Sequence, residues 1–300
     1  MGDKVRGKLI AVALILIVFA SGCLTGSGNS QGSSQPSTTP SSTPSTVSFT
    51  STSSSRSATS STSSPLETSS TMTTTTTPDY LDELIRSLSG ISSYLALVNT
   101  TINSTVRIEG RGVVRVENVS VFSNSTAFYD LSNERMDVNM TVLTKPAGAR
   151  VFTRIILSGD VARVYSFGEW KEFHSGQEGF DVIRKTFKSN PLSLALEASR
   201  EGSCRVTAGE YYVLQCTSKN AFEELIKSAV GAPEGSEVSV TLGRVEVVFH
   251  NLRPVRGRIE VGFVVSTTYT DASGGTFRLV QRGKIVETFA VIRSYSSTSS

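Results

Sequence analysis

The sequence predicts an α+β domain in which one antiparallel sheet, strongly curved into a half-barrel, carries its helices over the concave face. Two observations give the layout. Apolar and polar residues alternate with period two over a long stretch before residue 170 and another after residue 237, whereas between them apolar residues recur at helical spacing. A third observation confines the fold to residues 79–300. Five of the nine prolines (Pro36, Pro40, Pro44, Pro65, Pro78) and most of the Ser and Thr fall in residues 23–78, where Arg56 and Glu67 are the only charges. Such a segment has too little apolar surface to offset the entropy of ordering it. A single domain of the remaining length buries roughly 70% of its unfolded surface.

The amino terminus reads as an export signal. Lys4, Arg6 and Lys8 precede an apolar run over residues 9–20, followed by the small residues Ser21 and Gly22. That run is shorter than the ~20 residues a membrane span needs. Ala20, Ser21, Gly22 and Cys23 together resemble a lipobox, with Ala20 where Leu is commonest in the bacterial pattern. The resemblance implies cleavage after residue 22 and lipidation of Cys23, two chains being enough to hold a protein on a bilayer. Residues 23–78, including the run Thr73, Thr74, Thr75, Thr76 and Thr77, then form a low-complexity stalk. The basic amino terminus supplies +2 of the formal charge of +3, so the domain is nearly neutral. Its charges alternate in sign along Arg107, Glu109, Arg111, Arg115 and Glu117, which is no basic face for nucleic acid.

Within the domain, Leu81, Leu84, Ile85, Leu88 and Ile91 repeat as a helix that starts behind Pro78. Val106, Ile108, Val114 and Val116 then read as one side of a strand and Arg107, Glu109, Arg111, Arg115 and Glu117 as the other. Met136, Val138, Met140 and Val142 alternate with Arg135, Asp137, Asn139 and Thr141, and strands follow at 150–157 and 161–167 around the turn Ser158, Gly159, Asp160. Phe180, Ile183, Phe187, Leu192, Leu194 and Ala198 mark helical segments broken by Pro191. A second helix at 220–230 stops at Gly231. Strands return at 238–242, 245–249, 259–265, 277–280 and 285–292.

Between the helical segments Cys204 and Cys216 flank two short strands around Ala208 and Gly209, and an even pair in an exported chain reads as a disulfide. A tight two-residue turn there would set Cys204 opposite Val213, so the bridge requires a wider loop or a bulge. Asn99, Asn103, Asn118, Asn124 and Asn139 each begin an N-x-S/T sequon, which marks them as glycosylation candidates on solvent-facing surface.

Residues 128–140 (FYDLSNERMDVNM), read as strand, the turn 167–170 (FGEW) and the closing strands 245–249 (VEVVF) and 288–292 (TFAVI) give the domain a topology that resembles the LolA and LppX/LprG-like lipoprotein carriers. The resemblance implies a bent half-barrel with helices over an apolar cavity. Separately, the lipobox followed by a Ser/Thr-rich stalk resembles surface lipoproteins of archaea.

The residues offer little for catalysis. His174 and His250 are the only histidines, neither has metal-ligand spacing, and within residues 79–300 no nucleophile elbow, phosphate-binding loop or Cys-x-x-Cys occurs. The acidic pairs Asp82/Glu83 and Glu223/Glu224 fall on outer helix faces. The chain therefore reads as no enzyme, without cofactor or metal. Trp170 is expected to be buried as an anchor near a strand end, and if exposed would stack on sugar or touch lipid. Met136 and Met140, with Phe222 and Phe263, are the candidates to line a ligand cavity, against the plainer reading of core packing. The function expected is a lipid-anchored extracytoplasmic protein binding an apolar ligand, a lipid or a lipid-modified protein. The alternative is an envelope interaction module with a filled core that recognises protein or glycan. A continuous void of several hundred Å³ between sheet and helices separates the two.

Overall fold

The computed structural model describes residues 78–232, 235–270 and 274–296. The signal segment, Cys23 and nearly all of the stalk lie outside the described residues. Among those described, no helix is long and apolar enough to cross a membrane.

The chain runs α1 (Pro78–Ser89), β1 (Ile91–Gly110), β2 (Val113–Asp130), β3 (Arg135–Lys145), β4 (Arg150–Ser158), β5 (Val161–Ser166) and β6 (Glu169–His174). It continues with α2 (Glu178–Lys188), α3 (Pro191–Glu201), β7 (Ser203–Thr207), β8 (Tyr212–Thr217) and a 3₁₀ turn (Asn220–Phe222). Then come α4 (Glu223–Val230), β9 (Glu237–His250), β10 (Arg253–Thr270) and β11 (Thr276–Ser296). All eleven strands form one antiparallel sheet in the order β6-β5-β4-β3-β2-β1-β11-β10-β9-β8-β7. The two meanders expected from the alternation are present, and they join where the first strand pairs with the last, Asn99 opposite Thr288 and Ile102 opposite Ile285.

The expected strongly curved half-barrel is not formed. The sheet is open, neither closed nor strongly curled, with β6 and β7 at opposite edges. Among the described residues the helices are few and short, 12, 11, 11 and 8 residues. They cover part of one face and do not draw the edges together, and twist alone does not close an open sheet.

Two local readings also change. The run read as strand over 128–140 contains a turn at 131–134 between β2 and β3. And β1 and β2 meet in a two-residue turn, Arg111 (φ 50°) and Gly112 (φ 74°), the left-handed pair that matches strand twist in tight hairpins. Gly110 therefore pairs with Val113, and Val114 and Val116 stand opposite Glu109 and Arg107. The two valines share the charged face and are exposed, instead of continuing the side of Val106 and Ile108.

One face of the sheet, carrying Tyr94, Val98, Ile102, Val121, Met136 and Ile155, forms the core with the helices. Helix α2 contributes Phe180, Ile183 and Phe187, a spacing of three and four residues that makes one apolar stripe. Each such buried side chain contributes about 1.5–3 kcal/mol. Helix α4 ends in a left-handed cap at Gly231. Cys204 and Cys216 are register partners and are disulfide-bonded. The wider loop that this pairing requires is there, since Thr207 pairs with Val213 and residues 208–211 connect β7 to β8.

Candidate functional site

A void of about 140 Å³ lies between the helices and the centre of the sheet. Its floor follows from strand alternation: Val98, Thr100 and Ile102 of β1, Val121, Ser123, Ser125 and Tyr129 of β2, Met136, Val138 and Met140 of β3, Ile155 of β4, and Ile285 and Glu287 of β11. Its roof is Thr186 and Ser189 of α2 and its end, Pro191 of α3, and Leu225, Ser228 and Ala229 of α4. The volume is near that of a dry engineered cavity that admits benzene or xenon, and below the several hundred Å³ of a drug-sized pocket.

Asn190 holds the roof in place. It is 1% exposed and N-caps α3, its Oδ1 accepting from Ser193 N–H (3.0 Å) and from the Tyr94 hydroxyl (2.7 Å). Its Nδ2 donates to the Phe187 carbonyl (2.8 Å) and to Ser193 Oγ (2.7 Å), so both donors and both acceptor positions are filled. One side chain thereby ties the end of α2, the start of α3 and the sheet together. Across the roof, Thr186 Oγ1 and Ser228 Oγ share a hydrogen bond of 3.2 Å that links α2 to α4. Thr186→Ala is expected to cost no more than about 1 kcal/mol while speeding amide exchange in α4. Unchanged exchange there would show that the bond does not hold α4 down.

The floor is not uniformly apolar. Glu287 stands opposite Thr100, which in turn stands opposite Ser123, so a polar row crosses three central strands. Thr100 Oγ1 donates to Glu287 Oε2 at 3.0 Å. Oε1 is buried and has no hydrogen-bond partner among the described residues. Burial pushes the carboxyl from its ordinary 4.5 up to about 7, against the smaller opposing effect of the Thr100 bond. Burial likewise raises Tyr129 and Tyr94, and the carboxyl of Glu287 adds to both shifts.

Of the cavity candidates, Met136 and Met140 border the void. Phe222 and Phe263 do not. Each is buried in the core, Phe222 close over Gly243 and Phe263 close over Gly283, positions where a Cβ would collide with the ring. Glu287 escaped the sequence reading, although its signal was there: it falls in phase with Ile285 and Phe289, two buried positions of β11.

The five sequons lie on the opposite face. Asn99 pairs with Asn124, Asn103 with Ser120, Asn118 with Thr105, and Asn139 with Thr126. All five Asn side chains therefore share the helix-free face; Asn139 is half-buried there and the other four are exposed. Trp170 is on this face too and is 51% exposed, which overturns its expected burial. It pairs with Tyr165 at the β5–β6 hairpin, its ring 5.4 Å from that of Tyr165, which is 6.2 Å from the half-exposed Phe152. Burial failed because β6 is the edge strand and no helix covers this side. His174 is exposed beside Glu172, and the His250 ring is tilted against that of Tyr211. Glu223 and Glu224 both pair with Lys227 on α4.

The chain matches no family model and no curated protein. Solved structures similar to it include LprF from Mycobacterium bovis, at 10% identity over 68% of this chain and 92% of that one, with a TM-score of 0.33. A DUF1329 family protein from Desulfovibrio piger is similar at 11% identity over 73% and 92%, with a TM-score of 0.21. A beta-barrel-like DUF1849 domain protein from Brucella abortus is similar at 10% identity over 68% and 100%, also with a TM-score of 0.21. At these scores the likenesses decide neither fold nor function.

Proposed function

We propose that the chain is an extracytoplasmic protein, anchored to the membrane through Cys23, whose cavity between sheet and helices binds an apolar ligand. The observation that carries the reading is the void itself, walled by Met136, Met140, Val138 and Ile285 and roofed by Leu225 and Ala229. Adaptable Met side chains beside a few placed polar groups are the composition of small-molecule sites. As it stands the space takes a group of about benzene size, or the end of one chain. A longer chain enters by parting α2 from α4, whose roof contact includes the Thr186–Ser228 bond.

A second reading has its own support. The ladder of exposed Phe152, half-buried Tyr165 and exposed Trp170 on the helix-free face is a platform for a sugar or a protein partner. The two readings separate by native mass spectrometry with lipid extraction on the full-length exported protein. A stoichiometric apolar adduct, lost on unfolding and absent from a Met140→Trp variant, is the expected result. An unliganded mass that persists after incubation with host lipids would overturn the cavity reading and leave the aromatic face as the working surface.

A further inference from the structure

Among the described residues, the cavity holds a carboxylate with no cationic side chain at its walls. Glu287 Oε1 has no hydrogen-bond partner among the described residues, and none of the residues that border the void is Lys, Arg or His. The titratable groups that feel the charge of Glu287 are Tyr94 and Tyr129, which bring no positive charge. A buried carboxylate in this state is costly, and the cost is relieved either by taking up a proton, as its raised pKa allows, or by a cationic donor.

The remaining polar groups match one type of donor. Oε2 already accepts from Thr100, and Ser123 lies next to Thr100 in the same cross-strand row. An ammonium has three N–H donors, and the acceptors along this row are the Glu287 carboxylate and the Thr100 and Ser123 hydroxyl oxygens, from three residues that all border the void. An alcohol would fill Oε1 but leave the charge, whereas a carboxylate or phosphate head would face Glu287 with like charge.

We propose that Glu287, with Thr100 and Ser123, is the recognition group of this cavity, and that its ligand is an amphiphile with a primary ammonium on an apolar body of about benzene size. The assignment rests on the apolar cavity described above and adds the head group to it. It sets the site against fatty acids and phosphate-headed lipids.

The test is calorimetric titration of the full-length protein at pH 8 with benzylammonium, benzyl alcohol, benzoate and toluene, repeated on Glu287→Gln and on Met140→Trp. Benzylammonium is expected to bind at least about tenfold more tightly than benzyl alcohol, benzoate not at all, and Glu287→Gln to bring benzylammonium down to the alcohol's affinity while toluene is unchanged. Met140→Trp is expected to block all three binders. If toluene and benzyl alcohol bind but benzylammonium gains nothing and Glu287→Gln alters nothing, the head-group assignment fails and the apolar cavity stands. If no probe binds, both fail.

Discussion

Replacing Asn190 by Ala is expected to cost about 4 kcal/mol. Loss of an N-cap contributes about 1 kcal/mol, and the larger share comes from partners left behind, since a buried polar group without its bond costs about 1–3 kcal/mol. The Tyr94 hydroxyl loses Asn190 Oδ1 as acceptor in a fully buried site, and the Phe187 carbonyl loses one of its donors. Tyr94→Phe removes the stranded hydroxyl instead and is expected to cost only about 1 kcal/mol. The double variant should then be more stable than the sum of the two losses implies, because the two side chains act as a pair. Urea unfolding of the four proteins checks this. Additive losses, or a cost below about 1 kcal/mol for Asn190→Ala, would mean that the capping network does not hold the roof. Because Ser189 and Pro191 border the void on either side of Asn190, the same variant is expected to loosen the cavity.

The second large effect is a dependence on pH at Glu287. Its folded-state pKa of about 7 lies above its ordinary 4.5, so the folded protein binds this proton more tightly than the unfolded chain does. The stabilisation is complete below about pH 4.5, declines as pH rises through the folded pKa, and is gone above it. The span corresponds to about 3 kcal/mol. Glu287→Gln has no such proton to lose. Unfolding free energies of wild type and variant are therefore expected to lie close together at pH 4.5, with the variant ahead by about 3 kcal/mol at pH 8. Every other titrating group cancels in this comparison. An equal difference at both pH values would show that the carboxyl is solvated. A bound ammonium reverses the trend, since it stabilises the ionised form.

The elements that the sequence announced are those whose inner positions are mostly apolar. Met136, Val138 and Val142 define β3, and Phe180, Ile183 and Phe187 define α2, because these apolar side chains fall on one buried face of each. Residues 91–105 of β1 were illegible for the opposite reason. At inner positions they carry Thr100 and Ser104, which make sense only beside Glu287 and Gln281 of β11, almost two hundred residues away. The same long-range pairing hid the centre of the sheet, since nothing local tells the first strand that its neighbour is the last. The curvature was over-read from strand number, while the parity error at Val114 and Val116 came from carrying period two through the Arg111–Gly112 turn. Met136 and Met140 could be placed on the inner face from alternation. Whether that face meets a helix or a void depends on how α2 and α4 seat, which no period in the sequence encodes.

The central claim is that apolar matter enters the space between β3, β11 and α4. X-ray diffraction from crystals of the protein pressurised with xenon tests it most directly, because xenon enters dry cavities of about this volume. The account predicts a xenon peak bounded by Met136, Met140, Ile285 and Leu225. Crystals that take up no xenon there, with Met140 and Leu225 packed against each other across the space, would contradict it.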